Sequence, residues 1–439
     1  MNILILGAGR SSSALIEYLI QYCWQSGHRL TVADASLVAA ETRVKGRAVA
    51  KAFHLEDPST IELISQADVV VSLLPAFLHI QIARHCLIFQ KHLLTASYIS
   101  EDMKELGDEA QKKGLVFLNE CGLDPGIDHM SAMQLIDDVT SKGGHITSFE
   151  SFTGGLIAPQ TAPENPWRYK FTWNPRNVVL AGQGTAKFLQ EGAYKYVPYH
   201  QLFTRTTEVE VPGYGKFEGY ANRDSLKYRE TYGLQDVQTM IRGTLRNHGY
   251  CKAWNVLVQL GCCDDSYLME DVANLTHESF IESFFRPDTR KSLEQRIADR
   301  FSLSPTGDEM TRLKWSGFFS SEKVGLTSGT PAQITEHILN KRWCLQPGDQ
   351  DFVVMWHRLV YHKQGQVKTL QAYLTSVGDD EIHTAMAKTV GLPLAMATRL
   401  VVENKIKQRG VLLPITPEFY QPILKELAER GIALKEVEL

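Results

Sequence analysis

The sequence predicts an α/β protein, in which a doubly wound parallel sheet of the Rossmann type is joined to an α+β substrate domain with a helical insertion. Three observations predict this class. The chain opens with an apolar run that ends in a glycine-rich turn, and apolar strands then alternate with helical segments as far as residue 120. Beyond that point the alternation is lost. The length of 439 residues also exceeds what one hydrophobic core usually serves.

The first βαβ unit is the most regular part of the sequence. Residues 3–6 are continuously apolar, as in a strand that is buried on both faces, and Gly7 ends the run. Apolar side chains then recur with helical spacing between residues 15 and 23, and Gly27 breaks this pattern before a second strand at 30–33. A parallel pair of strands with a crossover helix follows from this order.

The same alternation continues through the rest of the first domain. The predicted elements are a helix at 58–65, a strand at 69–71, a helix at 80–89, a strand at 93–95, a helix at 101–112 and a strand at 115–118. We therefore expect three parts, namely a dinucleotide-binding domain at 1–120, an α+β domain at 121–395 with its helical insertion near 235–320, and a C-terminal segment at 396–439 that returns to the first domain.

Composition excludes several classes of function. With 44% hydrophobic residues and a net charge of -4, the chain has no general attraction for nucleic acid or acidic membranes, and no apolar stretch is expected to cross a bilayer. The seven cysteines lack C-x-x-C spacing, which favours a reducing, cytoplasmic setting. The fourteen histidines form no metal-binding motif, so no metal is predicted.

The turn after the first strand indicates a dinucleotide. Gly7 and Gly9 match the first two glycines of G-x-G-x-x-G, and Ser12 takes the third position. The first glycine permits the tight turn, and the second lets backbone N–H groups approach a pyrophosphate at the helix start. The predicted cofactor-binding residues are Gly7, Gly9, Arg10, Ser11, Ser12, Asp34, Leu73, Leu74 and Pro75.

Asp34 bears on the choice between NAD and NADP. It ends the second strand, where a carboxylate accepts hydrogen bonds from both ribose hydroxyls and repels a 2′-phosphate. NAD is therefore expected, with NADP possible because Arg43 or Arg10 offers a cation for a phosphate. The alternative role of Asp34 is to cap the helix that begins near Ser36.

Three loops that follow later strands should lie on the ligand side of the sheet: 72–75, 96–98 and 119–129. The loop at 119–129 resembles the signature segment of the glutamate-forming saccharopine dehydrogenases, also called saccharopine reductases. Other segments are similar to the same family and extend the resemblance over nearly the whole chain, at 148–159, 169–173, 222–225, 241–246, 391–393 and 410–414.

The resemblance implies an NAD(P)-linked enzyme of lysine metabolism that interconverts saccharopine with L-glutamate and 2-aminoadipate 6-semialdehyde. Bifunctional relatives also carry a lysine-ketoglutarate reductase half, for which this chain has no room, so we expect a monofunctional enzyme. The substrate-binding residues that the resemblance implies are Ser97, Gly154, Gly155, Trp173, Arg223, Arg242, Thr244 and Arg246.

The chemistry of saccharopine suits several of these residues. Its three carboxylates call for guanidinium groups, and Arg242 and Arg246, four residues apart, would share one face if that segment is helical. Arg223 lies in a turn-like run, and for each arginine a surface salt bridge is the alternative role. Trp173 is assigned to the pocket wall or, alternatively, to the core.

Asp124 and Tyr98 are the candidate catalytic residues. The reacting amine must be neutral, and the imine that forms must be hydrolysed, so a proton carrier is needed. Asp124 would orient the amine or a water, and Tyr98 would relay a proton. The alternatives for the two are a cap of the Asp-Pro turn and a packed aromatic ring.

Two other functions stay open at this point. The first is a dehydrogenase for a different amine, such as carboxynorspermidine or lysine. The second is a non-catalytic sensor of NAD or of a metabolite. All of these bind small molecules, and a homodimer is compatible with each.

Overall fold

The computed structural model describes residues 1–438 and divides them into two compact units. Unit 1 comprises Met1–Gly144 and Leu374–Lys435, and unit 2 comprises His145–Tyr373 and the residues that follow Lys435. The division therefore lies at 144 rather than 120, and residues 374–395 join unit 1 instead of the α+β domain. Each shift has a physical cause in the helices of unit 1.

Unit 1 is built on a seven-stranded parallel sheet. Its strands are β1 (Asn2–Leu6), β2 (Arg29–Asp34), β3 (Val49–Ala52), β4 (Val69–Ser72), β5 (His92–Thr95), β6 (Val116–Leu118) and β17 (Gly410–Leu412). The order β3-β2-β1-β4-β5-β6 is that of a Rossmann sheet, and β17 extends it beyond β6. The fold class predicted from the sequence is confirmed, whereas β3 had not been located.

The helices of unit 1 are α1 (Ser13–Ser26), α2 (Leu37–Val44), α3 (Pro58–Gln66), α4 (His79–Phe89), α5 (Glu101–Glu105), α6 (Gly107–Lys112), α7 (Ile127–Ser141), α16 (Ala385–Val402) and α17 (Pro417–Glu429). The single helix expected at 101–112 is thus two short ones, because Leu106 separates them. Helix α7 belongs to unit 1, where the Tyr420 hydroxyl of α17 donates to Asp137 at 2.5 Å.

Helix α16 is long and apolar enough to cross a membrane by length and composition, which corrects the expectation that no such stretch exists. Of this helix, 83% is buried inside the protein, as in the core helix of a soluble fold. It packs so closely on α1 that a Cβ at Gly391 would lie 2.9 Å from the backbone nitrogen of Leu15. This contact explains why residues 385–395 belong with unit 1.

Unit 2 contains a nine-stranded mixed sheet with the path β10-β11-β12-β7-β15-β16-β18, in which β8 pairs with β12 and with β9. Its strands are β7 (His145–Ile157), β8 (Ala186–Gln190), β9 (Ala193–Val197), β10 (Thr206–Val211), β11 (Gly215–Ala221), β12 (Thr239–Asn247), β15 (Asp351–Lys363), β16 (Gln366–Val377) and β18 (Lys435–Glu438). A separate pair is formed by β13 (Met269–Glu270) and β14 (Ser328–Gly329).

The helices of unit 2 are α8 (Pro175–Val179), α9 (Tyr199–Leu202), α10 (Tyr228–Thr231), α11 (Tyr250–Leu260), α12 (His277–Glu282), α13 (Leu293–Phe301), α14 (Asp308–Trp315) and α15 (Pro331–Trp343). The helical insertion expected near 235–320 is therefore interrupted by β12. In this strand apolar Ile241 and Leu245 alternate with polar Arg242 and Thr244, and a period of two is that of a strand.

Candidate active site

The glycine turn after β1 has the geometry that a dinucleotide needs. Gly7 has a φ of +108°, and a Cβ there would lie 3.1 Å from the backbone of Leu73. Gly9 has open space around its Cβ position, and the Ser12 hydroxyl donates to its carbonyl at 2.8 Å. A short 3-10 turn, Arg10–Ser12, leads into α1. Backbone N–H groups at this helix start fit a pyrophosphate.

Asp34 braces the same turn. One carboxylate oxygen accepts the N–H of Ala8 at 2.7 Å, and the other accepts the N–H of Ser36 at 2.9 Å. Asp34 thus lies where each of its two expected roles would place it. It is at the end of β2, and it supports the start of α2, where Ser36 is the N-cap. Its negative charge lies beside the glycine turn.

Arg43 brings a positive charge to this turn. Its guanidinium donates to the carbonyls of Ala8 at 3.4 Å and of Gly9 at 3.2 Å. The side chain is half-buried, and burial lowers its pKa. Within residues 1–438, no carboxylate forms an ion pair with it. The Arg43 guanidinium is therefore the positive charge beside which an anionic group near this turn would bind.

The third part of the cofactor region is the loop after β4. The N–H of Leu73 donates to the carbonyl of Leu6 at 2.8 Å, which holds this loop against the end of β1. Leu73 and Leu74 are half-buried and Pro75 is exposed, as is Arg10, while Ser11 is half-buried. The structure thus places all of the predicted cofactor residues at the carboxyl ends of β1, β2 and β4.

Tyr98 and Asp124, the two candidate catalytic residues, are in contact. The Tyr98 hydroxyl donates to a carboxylate oxygen of Asp124 at 2.9 Å, and both side chains are partly exposed. The turn that carries Asp124 is tight, because Gly126 has a φ of +147° and a Cβ there would lie 2.0 Å from the carbonyl oxygen of Gly122. Only glycine fits that position, which explains this part of the 119–129 segment.

A buried contact between a carboxylate and an imidazole supports this segment. Glu120 and His129 are essentially inaccessible, and their Oε2 and Nε2 atoms are 2.7 Å apart. The other oxygen of Glu120 accepts the N–H of Ile99 at 3.0 Å, next to Tyr98. Asp128, in the first turn of α7, accepts the N–H of Gly126 at 2.6 Å. Asp128 and His129 therefore hold the loop.

His79 is a residue that the sequence did not single out. Its Nδ1 lies 2.9 Å from the Ser72 hydroxyl, and its Nε2 lies 2.8 Å from the Ser97 hydroxyl and 3.1 Å from that of Thr95. The ring is 4% exposed, and burial lowers its pKa to about 4. In the sequence His79 only opens a helix with apolar periodicity, so no local pattern marks it.

In unit 2, two of the resembling segments adjoin each other. The N–H of Asn222 donates to the carbonyl of Arg242 at 2.9 Å, and the N–H of Arg242 donates to the Ser225 hydroxyl at 2.9 Å. The Asn222 side chain also donates to the Thr244 hydroxyl at 3.3 Å. Segment 222–225 is thus fixed along β12, so Arg223, Arg242 and Thr244 belong to one part of unit 2.

The three candidate arginines differ in their surroundings. Arg223 is exposed and has a φ of +51°, whereas Arg242 is buried, with its guanidinium 4.1 Å from the centre of the Tyr228 ring. Arg246 is buried among tyrosine rings, and its guanidinium donates to the carbonyl of Leu245 at 2.9 Å. A cation in such an aromatic surrounding stabilises the core of unit 2.

The remaining predicted residues lie in the sheet and the aromatic core of unit 2. A Cβ at Gly154 would lie 2.7 Å from the carbonyl oxygen of Leu245, so close packing of β7 on β12 requires this glycine. Gly155 is paired with Val353 of β15. Trp173 is half-buried against the aromatic core, which keeps both of its expected roles open.

Comparison with known families accounts for nearly the whole chain. Residues 3–118 match the saccharopine dehydrogenase NADP binding domain, and residues 122–432 match the saccharopine dehydrogenase C-terminal domain. The chain belongs to the saccharopine dehydrogenase family. Its sequence is 32% identical to the NADP(+)-dependent, L-glutamate-forming saccharopine dehydrogenase of Schizosaccharomyces pombe, over 99% of this chain and 98% of that protein.

Other relatives differ in length. The chain is 32% identical to the alpha-aminoadipic semialdehyde synthase of Arabidopsis thaliana over 99% of its own length, but it spans only 44% of that protein. The apo structure of the L-glutamate-forming saccharopine dehydrogenase of Saccharomyces cerevisiae superposes with a TM-score of 0.88 at 30% identity, and covers 100% of this chain and 99% of that one. The resemblance inferred from the sequence is confirmed.

The comparisons also bear on the cofactor. A family of NADP binding domains and relatives with NADP(+) in their names establish a nicotinamide dinucleotide domain, and they favour NADP over NAD. The sequence predicted a preference for NAD from Asp34, whereas these relatives are named for NADP(+). Among residues 1–438, no group of three or more His, Cys, Asp or Glu side chains has a geometry that could hold a metal ion.

Proposed function

We propose that this protein is a saccharopine dehydrogenase that interconverts saccharopine with L-glutamate and 2-aminoadipate 6-semialdehyde in lysine metabolism, with a nicotinamide dinucleotide as the hydride carrier. The observation that carries the proposal is the hydrogen bond from Tyr98 to Asp124, at the carboxyl edge of the dinucleotide-binding sheet. The family and its L-glutamate-forming fungal relatives support this reaction for the chain.

The pair of residues suits proton transfer. When bound, the nicotinamide accepts a hydride from the carbon beside the secondary amine, or donates one in the reverse direction. That carbon is reactive only when the amine is neutral, so a nearby base must hold its proton. Asp124 is the group that takes up this proton or orients the hydrolytic water. The Tyr98 hydroxyl keeps Asp124 in place and is itself able to pass a proton.

Residues of unit 2 are assigned to binding rather than to reaction. Saccharopine carries three carboxylates, and guanidinium groups bind carboxylates through two parallel hydrogen bonds. Arg223 is exposed on the segment that β12 holds in place, and Arg242 and Thr244 lie beside that segment. We assign carboxylate binding to Arg223 and Arg242. Arg246 has the weakest support for that role, since its guanidinium is enclosed by tyrosine rings.

Two opposite charges beside the glycine turn set the choice of dinucleotide. Asp34 opposes a 2′-phosphate by charge repulsion, and Arg43 offers it a cation. The names of the relatives favour NADP, which supports Arg43 as the phosphate ligand. We propose that the enzyme accepts both dinucleotides and that the balance of these two residues determines their ratio.

The seven cysteines bear on the location of the protein. All seven are free thiols, and six of them are buried. Free thiols are typical of proteins from reducing compartments, which supports the cytoplasmic location that we propose.

The function is tested by a panel of amines. Purified protein is incubated with NAD or NADP and with saccharopine, lysine or carboxynorspermidine, and the formation of reduced cofactor is followed at alkaline pH. We expect the highest kcat/KM with saccharopine. A higher kcat/KM with another amine would reassign the substrate, and binding of saccharopine in a calorimeter without any turnover would indicate a sensor.

A further inference from the structure

A buried imidazole joins three hydroxyl groups at the carboxyl ends of two strands of unit 1. Ser72 ends β4, Thr95 ends β5, and Ser97 lies two residues further along the chain. His79, the first residue of α4, reaches all three hydroxyls with distances between 2.8 and 3.1 Å. Ser72 and Thr95 are buried, whereas Ser97 is partly exposed. The network therefore has one accessible end.

The ring that forms this bridge is neutral at the pH of most enzyme assays. Burial lowers the pKa of His79 to about 4. A neutral imidazole has one N–H donor and one acceptor nitrogen, and hydroxyl groups serve either kind of partner. Both nitrogens of His79 are satisfied in this way, so the ring has a fixed position and the Ser97 hydroxyl is fixed with it.

Ser97 directly precedes the residue that donates to Asp124. Its backbone N–H donates to the Thr95 hydroxyl at 3.2 Å, and its carbonyl accepts the N–H of Glu120 at 3.0 Å. The carbonyl of Ser97 is therefore held without His79, whereas its N–H is bonded to Thr95, whose hydroxyl also contacts the imidazole. The Ser97 hydroxyl contacts the imidazole directly, so removal of this hydroxyl alone distinguishes an effect on the side chain from an effect on the loop.

We infer that His79 is a positioning residue that holds the Ser97 hydroxyl toward the substrate. The inference rests on the proposed function, in which Ser97 contacts saccharopine. His79 itself touches no substrate and acts only through Ser97. Loss of the imidazole should thus weaken substrate binding and leave the dinucleotide site, built on the glycine turn, unaffected.

Two substitutions of His79 distinguish the contact made by Nδ1 from the contact made by Nε2. A glutamine at position 79 places its terminal amide near the position of Nε2, so H79Q keeps a partner for Ser97. An asparagine reaches only the position of Nδ1, so H79N keeps a partner for Ser72 and loses the one for Ser97. We expect H79N to raise the KM for saccharopine about tenfold, with the KM for the dinucleotide and kcat within about twofold of wild type. H79Q should recover most of the loss.

A double-mutant cycle tests whether His79 acts through Ser97. S97A should raise the KM for saccharopine by a similar factor, and the S97A/H79N double variant should be no worse than S97A alone. Multiplying effects in the double variant would overturn the inference, as would H79Q and H79N losing equal activity. The control is H92N, at the other end of β5, where His92 accepts the N–H of Val116. It should leave the KM for saccharopine unchanged.

If H79N fails to fold, S72A provides the test. The Ser72 hydroxyl contacts only the Nδ1 atom of the His79 ring. S72A therefore removes one hydrogen bond of the imidazole and keeps the imidazole itself. It should raise the KM for saccharopine about threefold in the wild-type background and not at all in the S97A background. An equal rise in both backgrounds would overturn the inference. Absence of wild-type turnover would instead overturn the proposed function, so the two failures are distinguishable.

Discussion

Replacing Tyr98 by phenylalanine tests the pair that carries the proposed chemistry. The change removes one hydroxyl and keeps the ring, so the 2.9 Å hydrogen bond to Asp124 is the interaction that is lost. A hydrogen bond to a charged group contributes about 1.5 to 3 kcal/mol. If that energy is expressed in the transition state, kcat/KM for saccharopine should fall by a factor of about 10 to 150.

The assay is steady-state turnover of Y98F, with thermal unfolding measured alongside. Tyr98 is partly exposed, so the variant should fold with nearly the melting temperature of wild type. The matched control is Y196F, since Tyr196 is 60% exposed on β9 in unit 2, and it should leave kcat/KM unchanged. A Y98F enzyme within twofold of wild type would refute the role assigned to the pair.

Three further predictions concern the cofactor, the sheet and pH. Replacing Asp34 by serine should shift the ratio of kcat/KM for NADP over NAD upward about tenfold, and Arg43→Leu should shift it downward, as measured by steady-state kinetics; an unchanged ratio in both would reject the two assignments. Gly243→Ala should lower the melting temperature and cost about 1 to 3 kcal/mol of stability, because the added Cβ would lie 2.3 Å from the carbonyl oxygen of Tyr220. The control is Gly184→Ala, which should leave the melting temperature unchanged because the space around its Cβ is open. The pKa of His79 is about 4 in the folded protein, below its value of about 6.5 in the unfolded chain. Stability that is present above pH 6.5 is therefore lost as the pH falls to 4, by about 3 kcal/mol at most. Thermal unfolding measured from pH 7 to 4 should show a steeper loss of stability in wild type than in H79Q.

The first unit was largely predictable from local patterns. Continuous apolar runs indicated the buried parallel strands, and the turn at Gly7 and Gly9 placed the dinucleotide site correctly within the fold. Strand β3 was missed because it is mostly exposed and carries no apolar run. The return of the C-terminal segment to the first unit was expected, but its pairing as β17 with β6, almost 300 residues away, has no sign in short-range periodicity.

The second unit shows where such patterns fail. Residues 239–247 fall within the stretch near 235–320 that was expected to be helical, and two arginines four residues apart would share a face of such a helix. Two residues four positions apart also lie on the same face of a strand. The alternation of Ile241 and Leu245 with polar residues is the feature that indicates a strand rather than a helix. The environment of Arg246 is formed by Tyr169, Tyr220 and Tyr250, which lie on different elements, so no local reading could have placed it in an aromatic cage.

The site itself was predictable only in part. Family resemblance and residue chemistry together selected Tyr98 and Asp124, and the structure brings their side chains into contact. The supporting groups were missed or underrated, since His79 and the Glu120–His129 pair have meaning only through contacts between distant segments. A buried polar residue in an apolar helix is common, and only its partners reveal whether it supports a site.

The stoichiometry of the proposed reaction tests the assignment of this enzyme. Saccharopine is incubated with the purified protein and excess dinucleotide, and reduced cofactor, L-glutamate and semialdehyde are quantified in the same sample. We expect one molecule of each product for every saccharopine consumed. Reduced cofactor accompanied by lysine and 2-oxoglutarate instead of glutamate, or no consumption of saccharopine with either dinucleotide, would contradict it.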